Sequence, residues 1–147
     1  MNKPLENLFY FGVKALLCNR ENKLLLLEKQ HRTRGICWDI PGGRPQNQET
    51  PMQTLRREVK EETGLEHLAE PLAFDMIVTD IRVPSTIGEV GLILSVYRCN
   101  INCSFIPQLS SEHTGFGWFS FSESAQLLKK QYPLAFVEKI AQMDPIG

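Results

Sequence analysis

The chain has 147 residues, is 42% hydrophobic and carries a formal net charge of −1. That size and composition suit one globular domain, residues 1–147, with a core of its own, and the near-neutral charge argues against polymeric DNA or RNA as a partner. Four cysteines, Cys18, Cys37, Cys99 and Cys103, fall at irregular spacings in apolar or strand-like segments, so they read as reduced core thiols rather than a disulfide framework or a zinc site.

Lys3 ahead of the apolar stretch from Leu8 to Cys18 has the outline of a secretory leader, but Glu6 sits before the stretch, Lys14 interrupts it and no small-residue cleavage site follows. A first strand over Phe9 to Cys18 is expected instead, then a turn at Asn19-Arg20-Glu21-Asn22 and a second strand from Lys23 to Glu28. Lys29, His31, Arg32 and Arg34 form a basic segment after it. Arg32 and Arg34 are candidates to bind substrate phosphates or a leaving group, with a solvated loop as the competing reading.

A helix follows. Thr50 can cap its N-terminus, Pro51 suits the first helical position, Gln53 completes a Thr-x-x-Gln capping box, and Gly64 supplies a left-handed stop. Met52, Leu55 and Val59 make an apolar stripe on it, while Glu58, Glu61 and Glu62 span about 100° of the neighbouring face. Glu58 and Glu62 are a like-charge pair at i, i+4 with Glu61 between them, an arrangement that destabilises an isolated helix. Something positive is therefore expected there. Hard oxygen ligands with little nitrogen or sulfur nearby select Mg²⁺ or Mn²⁺ over zinc.

Leu72 to Ile81 and Val90 to Cys99 read as strands, separated by a loop containing Pro84, Ser85, Gly88 and Glu89. Ser110 to Gly115 is a flexible polar stretch carrying Glu112 and His113, and Gly117 to Phe121 reads as a last strand. Two helices close the chain, one capped by Ser122 and running through Leu127 and Leu128, the other from Leu134 to Met143. Phe9, Tyr10, Phe74, Phe116 and Trp118 are available to stack on a base, although strand aromatics more often join the core. His67 and His113 read as surface residues. Strands on both sides of a mid-chain helix, with helices at the end, imply an α/β chain with a mixed β-sheet between helices. With no longer apolar run, a soluble, cytoplasmic protein without a membrane partner is expected.

The pattern G-x5-E-x7-R-E-V-x-E-E-x-G-L, from Gly43 to Leu65, resembles the signature box of the Nudix hydrolases with no fixed position missing. A chance match at every fixed position is on the order of one in a billion per start site, from average residue usage. Trp38-Asp39-Ile40-Pro41-Gly42-Gly43 is similar to the strand and glycine turn that lead into that box, and Glu112 to Trp118 to the family's late loop and final strand. One difference falls outside the fixed positions: Gln48 precedes Glu49 where many relatives have glycine.

The resemblance implies the Nudix fold, an α/β/α sandwich, and hydrolysis of a nucleoside diphosphate linked to another group by attack of water on phosphorus. It implies that Glu58, Glu61 and Glu62 hold Mg²⁺, or Mn²⁺, with the backbone carbonyl of Gly42. Arg57 would orient a carboxylate, Glu49 would brace the loop or bind a further ion through water, and Gly43 and Gly64 would shape the motif. The general base would be Glu58 or Glu112, with Glu112 preferred to Glu89 among the loop acids. A nucleoside triphosphate, oxidised forms such as 8-oxo-dGTP included, is the first substrate reading. ADP-ribose, a dinucleoside polyphosphate and a nucleotide sugar stay open. A nucleotide-sensing Nudix module without turnover typically loses box glutamates, and this chain keeps them. An isopentenyl diphosphate isomerase on this fold would need a cysteine motif, and the surroundings of Cys37 do not match one.

Overall fold

The strand Phe9–Cys18, β1, is the spine of the molecule, and a computed structural model describing residues 8–146 shows what assembles around it. Lys3 and Glu6 lie outside the described residues. β2 (Lys23–His31), β3 (Gly35–Asp39) and β4 (Gly42–Gly43) follow, then α1 (Pro51–Thr63), β5 (Leu72–Val78), β6 (Val83–Ser85), β7 (Gly88–Asn100), β8 (Gly115–Ser120), α2 (Phe121–Leu128) and α3 (Leu134–Ala141). The sheet runs β3-β2-β1-β7-β5, with β4 paired to β1 and β8 to β2. It is mixed, because β1 and β7 are parallel from Phe9–Gly91 to Cys18–Asn100 while the other pairings are antiparallel.

Side-chain alternation splits the core into two layers. Val13, Ala15 and Leu17 of β1 meet Leu55 and Val59 of α1, whereas Leu16 and Cys18 pack with Leu128, Phe136 and Ile140 of α2 and α3. β2 repeats the split: Leu25 and Leu27 face α1, and Leu24 and Leu26 face the other helices, all four at 0% exposure. A strand buried on both faces reads as a continuous apolar run, and each such leucine contributes on the order of 2 kcal/mol. The α/β/α sandwich with a mixed sheet follows from this two-sided burial.

Several boundaries differ from expectation. β2 runs on to His31, because Lys29, Gln30 and His31 pair with Cys37, Ile36 and Gly35 in a hairpin turning at residues 32–34. Val83–Ser85 pairs with Gly88–Val90, so Glu89 is a strand residue opposite Pro84 and not a loop acid. α2 is capped by Ser120 instead of Ser122: Ser120 Oγ accepts from the Glu123 N–H at 3.1 Å, and the Ser120 N–H donates to Glu123 Oε1 at 3.3 Å, a complete capping box. Cys18, Cys37 and Cys99 are buried free thiols, but Cys103 is exposed on the loop after β7. Among the described residues no helix is long and apolar enough to cross a membrane.

Candidate active site

α1 forms where its caps are. Thr50 Oγ1 accepts from the Gln53 N–H at 3.2 Å, the Thr50 N–H donates to Gln53 Oε1 at 2.8 Å, and Gly64 closes the helix at φ 81°. Leu55 and Val59 at 0% exposure fix its rotation on the sheet, which turns the glutamates toward the Gly42–Gly43 turn. That turn is held against β1 by the pairs Val13–Gly43 and Lys14–Gly42. A Cβ on Gly43 would sit 2.5 Å from Glu58 Cδ, so only glycine lets the helix carboxylate approach the turn this closely.

Arg57 organises the outer part of the site. Its Nε donates to Glu49 Oε2 at 2.6 Å, its Nη2 to Glu49 Oε1 at 3.0 Å and to the Arg44 carbonyl at 3.2 Å, and its Nη1 to Glu58 Oε1 at 2.8 Å and Glu61 Oε2 at 3.2 Å. Glu49 also accepts from the Gln46 N–H at 2.7 Å and Thr54 Oγ1 at 3.1 Å. The bonds from Arg57 first, then from Gln46, hold the Glu49 carboxyl down at about 2. Gln48 takes φ 63° on the way into this loop, the left-handed backbone that glycine adopts without steric cost.

The inner part is less well compensated. Glu62 is 7% exposed, and its Oε1 accepts from the Gly42 N–H at 2.8 Å. Burial pushes its carboxyl up to about 7 against the opposing pull of that N–H and of Lys14. Glu58 is raised too, chiefly by burial, with Arg57 opposing and Glu61 and Glu112 adding to the rise. Glu112, on the exposed turn before β8, brings an oxygen to the same place: one ligand atom from each of Glu62, Glu112 and His113 lies within 4.8 Å of the others. His113 is not a surface residue. Its side chain is only 7% exposed, and its Nε2 stands 3.8 Å from Glu62 Oε2. Burial lowers its pKa first of all, although Glu112 and Asp39 act the other way.

Behind the turn, Lys14 Nζ donates to Asp39 Oδ2 at 3.3 Å and to the Ile40 carbonyl at 3.2 Å. The buried Tyr132 hydroxyl and the Ile40 N–H, the latter at 2.7 Å, donate to Asp39 Oδ1. This network ties α3's approach to the Gly42 turn, and sequence reasoning missed it, since Asp39 and Tyr132 have no local signal linking them.

Arg32 and Arg34 are not brought to the carboxylates. Both occupy the β2–β3 turn, where Arg34 Nη2 is 3.1 Å from His31 Nε2. Arg34 lines a cavity of about 300 Å³ with Arg82, Lys129, Lys130, Asp80 and Tyr132. The space beside Glu58 is instead a cleft of about 650 Å³ walled by Tyr10, Phe11, Arg44, Pro45 and Gln46, in which the Arg44 guanidinium lies 4.5 Å over the Tyr10 ring. Arg44, directly after Gly43, was also missed; its position beside the box was the available signal. Phe74 and Trp118 pack edge-on against Phe136 and Phe105, as core aromatics do.

The donor set suits a hard divalent cation: carboxylate oxygens converge at partial burial, and Glu62 is held where an uncompensated charge is costly. The profile of the NUDIX domain matches residues 9–138. The chain belongs to the Nudix family of hydrolases. It is 27% identical over 134 residues to a MutT-like protein of Streptomyces ambofaciens, covering 91% of this chain and 79% of that one. It is 33% identical over 53 residues to the 8-oxo-dGTP diphosphatase of Proteus vulgaris, covering 35% of this chain and 47% of the relative. The E. coli dihydroneopterin triphosphate pyrophosphohydrolase shares the Nudix fold at a TM-score of 0.70 and 18% identity, covering 92% of this chain and 97% of that one. Nudix hydrolases generally use a divalent metal, and the cluster of Glu62, Glu112 and His113 could hold one.

Proposed function

We propose that this Nudix hydrolase is a Mg²⁺-dependent pyrophosphohydrolase that splits a nucleoside triphosphate, oxidised forms such as 8-oxo-dGTP included, into the monophosphate and pyrophosphate. The observation that carries the reading is the buried Glu62, bonded to the Gly42 N–H at 2.8 Å and grouped with Glu112 and His113, beside an Arg57 guanidinium committed to Glu49, Glu58 and Glu61. A pyrophosphate would be repelled from that cluster unless a cation reversed the local field. The named activity of the Proteus relative supports a triphosphate substrate.

In this reading Glu58, Glu61 and Glu62, with the Gly42 carbonyl, hold the metal. When bound, Mg²⁺ supplies positive charge to the phosphates and acidifies water. Arg57 fixes the orientation of Glu58 and Glu61, and Glu49 anchors Arg57 to the loop. Glu112 accepts the proton of the attacking water, since its turn is exposed and free to follow the substrate, whereas Glu58 Oε1 is occupied by Arg57. Arg44 and Tyr10 border the cleft beside Glu58 and receive the polyphosphate or the base.

A panel of triphosphates, oxidised triphosphates, ADP-ribose, dinucleoside polyphosphates and nucleotide sugars, with mass-resolved products, tests the proposal. Mg²⁺-dependent release of pyrophosphate from triphosphates alone is the expected result. Preferential cleavage of another class would replace the substrate, and tight nucleotide binding without turnover would favour a sensing module.

A further inference from the structure

The imidazole of His113 has no role in the reaction as described, yet it is placed in the site. Its Nδ1 is buried without a hydrogen-bond partner, and buried polar atoms in native folds are seldom left so. Its Nε2 faces Glu62 Oε2 at 3.8 Å, too far for a hydrogen bond. Two ligands on one ion, each with a bond of about 2.1 Å, lie from about 3.0 Å apart when adjacent to about 4.2 Å when opposite. The His113–Glu62 separation falls inside that range. Glu112 completes the set within 4.8 Å, and rotation of its side chain on an exposed turn closes the remaining distance.

We propose that His113 Nε2, Glu62 and Glu112 form a mixed nitrogen–oxygen metal position that takes Mn²⁺ more tightly than Mg²⁺. The assignment rests on the metal-dependent reading above and adds to it a ligand from the loop before β8. Imidazole suits first-row transition ions, whereas Mg²⁺ prefers carboxylate, carbonyl and water oxygens. One nitrogen among the donors therefore shifts preference toward Mn²⁺ without excluding Mg²⁺. Glu112 gives one carboxylate oxygen to this position and keeps the other for the proton of water. The remaining histidines do not compete: His31 is engaged with Thr33 and Arg34, and His67 is exposed beyond the end of α1.

Pulsed electron paramagnetic resonance of the Mn²⁺-loaded full chain tests this directly. The expected spectrum carries an imidazole ¹⁴N coupling that converts to ¹⁵N when only histidine is labelled, and His113→Gln abolishes it. In parallel titrations His113→Gln should weaken Mn²⁺ binding roughly tenfold or more and Mg²⁺ binding much less. Mn²⁺ bound to the wild-type chain without a histidine coupling overturns the proposal and leaves the carboxylate metal site standing. No Mn²⁺ binding at all overturns both. The wild-type spectrum decides even if His113→Gln fails to fold.

Discussion

The two ends of the carboxylate cluster solve opposite problems. Around Arg57, Glu49 has a guanidinium, a backbone N–H and a hydroxyl directed at it, and its carboxyl is held at about 2. Around Glu62, a carboxylate that is almost wholly buried has one N–H at 2.8 Å and an imidazole at 3.8 Å, and its carboxyl is pushed up to about 7. Both ends belong to one helix and one motif. The first is electrostatically complete, while the second would be completed, in the proposed reading, by a bound cation. One acidic motif thus contains a carboxylate held down by its partners and another pushed up by burial.

If that division is right, substitutions at the two ends should fail differently. Glu62→Gln should lose roughly a thousandfold in turnover, about 4 kcal/mol of transition-state stabilisation, yet fold normally and be at least as stable as wild type without metal at pH 8. Steady-state kinetics and urea denaturation check both halves. Arg57→Ala should instead lower the stability of the metal-free protein, because it removes the one cation that Glu49, Glu58 and Glu61 share. Urea denaturation in chelator measures it.

The pH dependence of the two ends has opposite sign. Glu62 rises from 4.5 to about 7 in the fold, so its contribution is fully present below pH 4.5 and is lost as pH rises through 7. Metal-free wild type should lose about 2–3 kcal/mol between pH 5 and 8 from this group, as an upper bound at 1.36 kcal/mol per unit. Glu62→Gln should lack that loss, and saturating Mg²⁺ should largely remove it. Glu49, depressed to about 2, contributes above pH 4.5 and is lost only as pH falls through 2. The smallest expected effect lies in the loop: Gln48→Gly should gain roughly 0.5–1 kcal/mol by relieving a left-handed residue, measurable by thermal melting, with turnover unchanged.

The helix was legible in the sequence because its determinants are local. Thr50, Pro51, Gln53 and Gly64 lie within α1 or beside it, and the box spacing carries the glutamates. Burial was harder to read where it depends on distant pairing. His113 looks like a surface residue until β8 is laid along β2, and Glu89 looks like a loop acid until β6 folds back on β7. The Ser120 cap was available, since Ser120-x-x-Glu123 is a capping box, but Ser122 beside it competed for the same role. Arg32 and Arg34 show the limit of charge as a guide: the sequence places them near the box, while both sit in the β2–β3 hairpin turn and Arg34 lines another cavity.

Calorimetric titration of Mg²⁺ into the metal-free chain at pH 8, for wild type and Glu62→Gln side by side, tests the division most directly. Binding to wild type that is weakened roughly tenfold or more by the substitution, with both proteins folded, is the predicted result. Equal Mg²⁺ affinity for the two would contradict it, because the buried carboxylate would then be no part of what the cation completes.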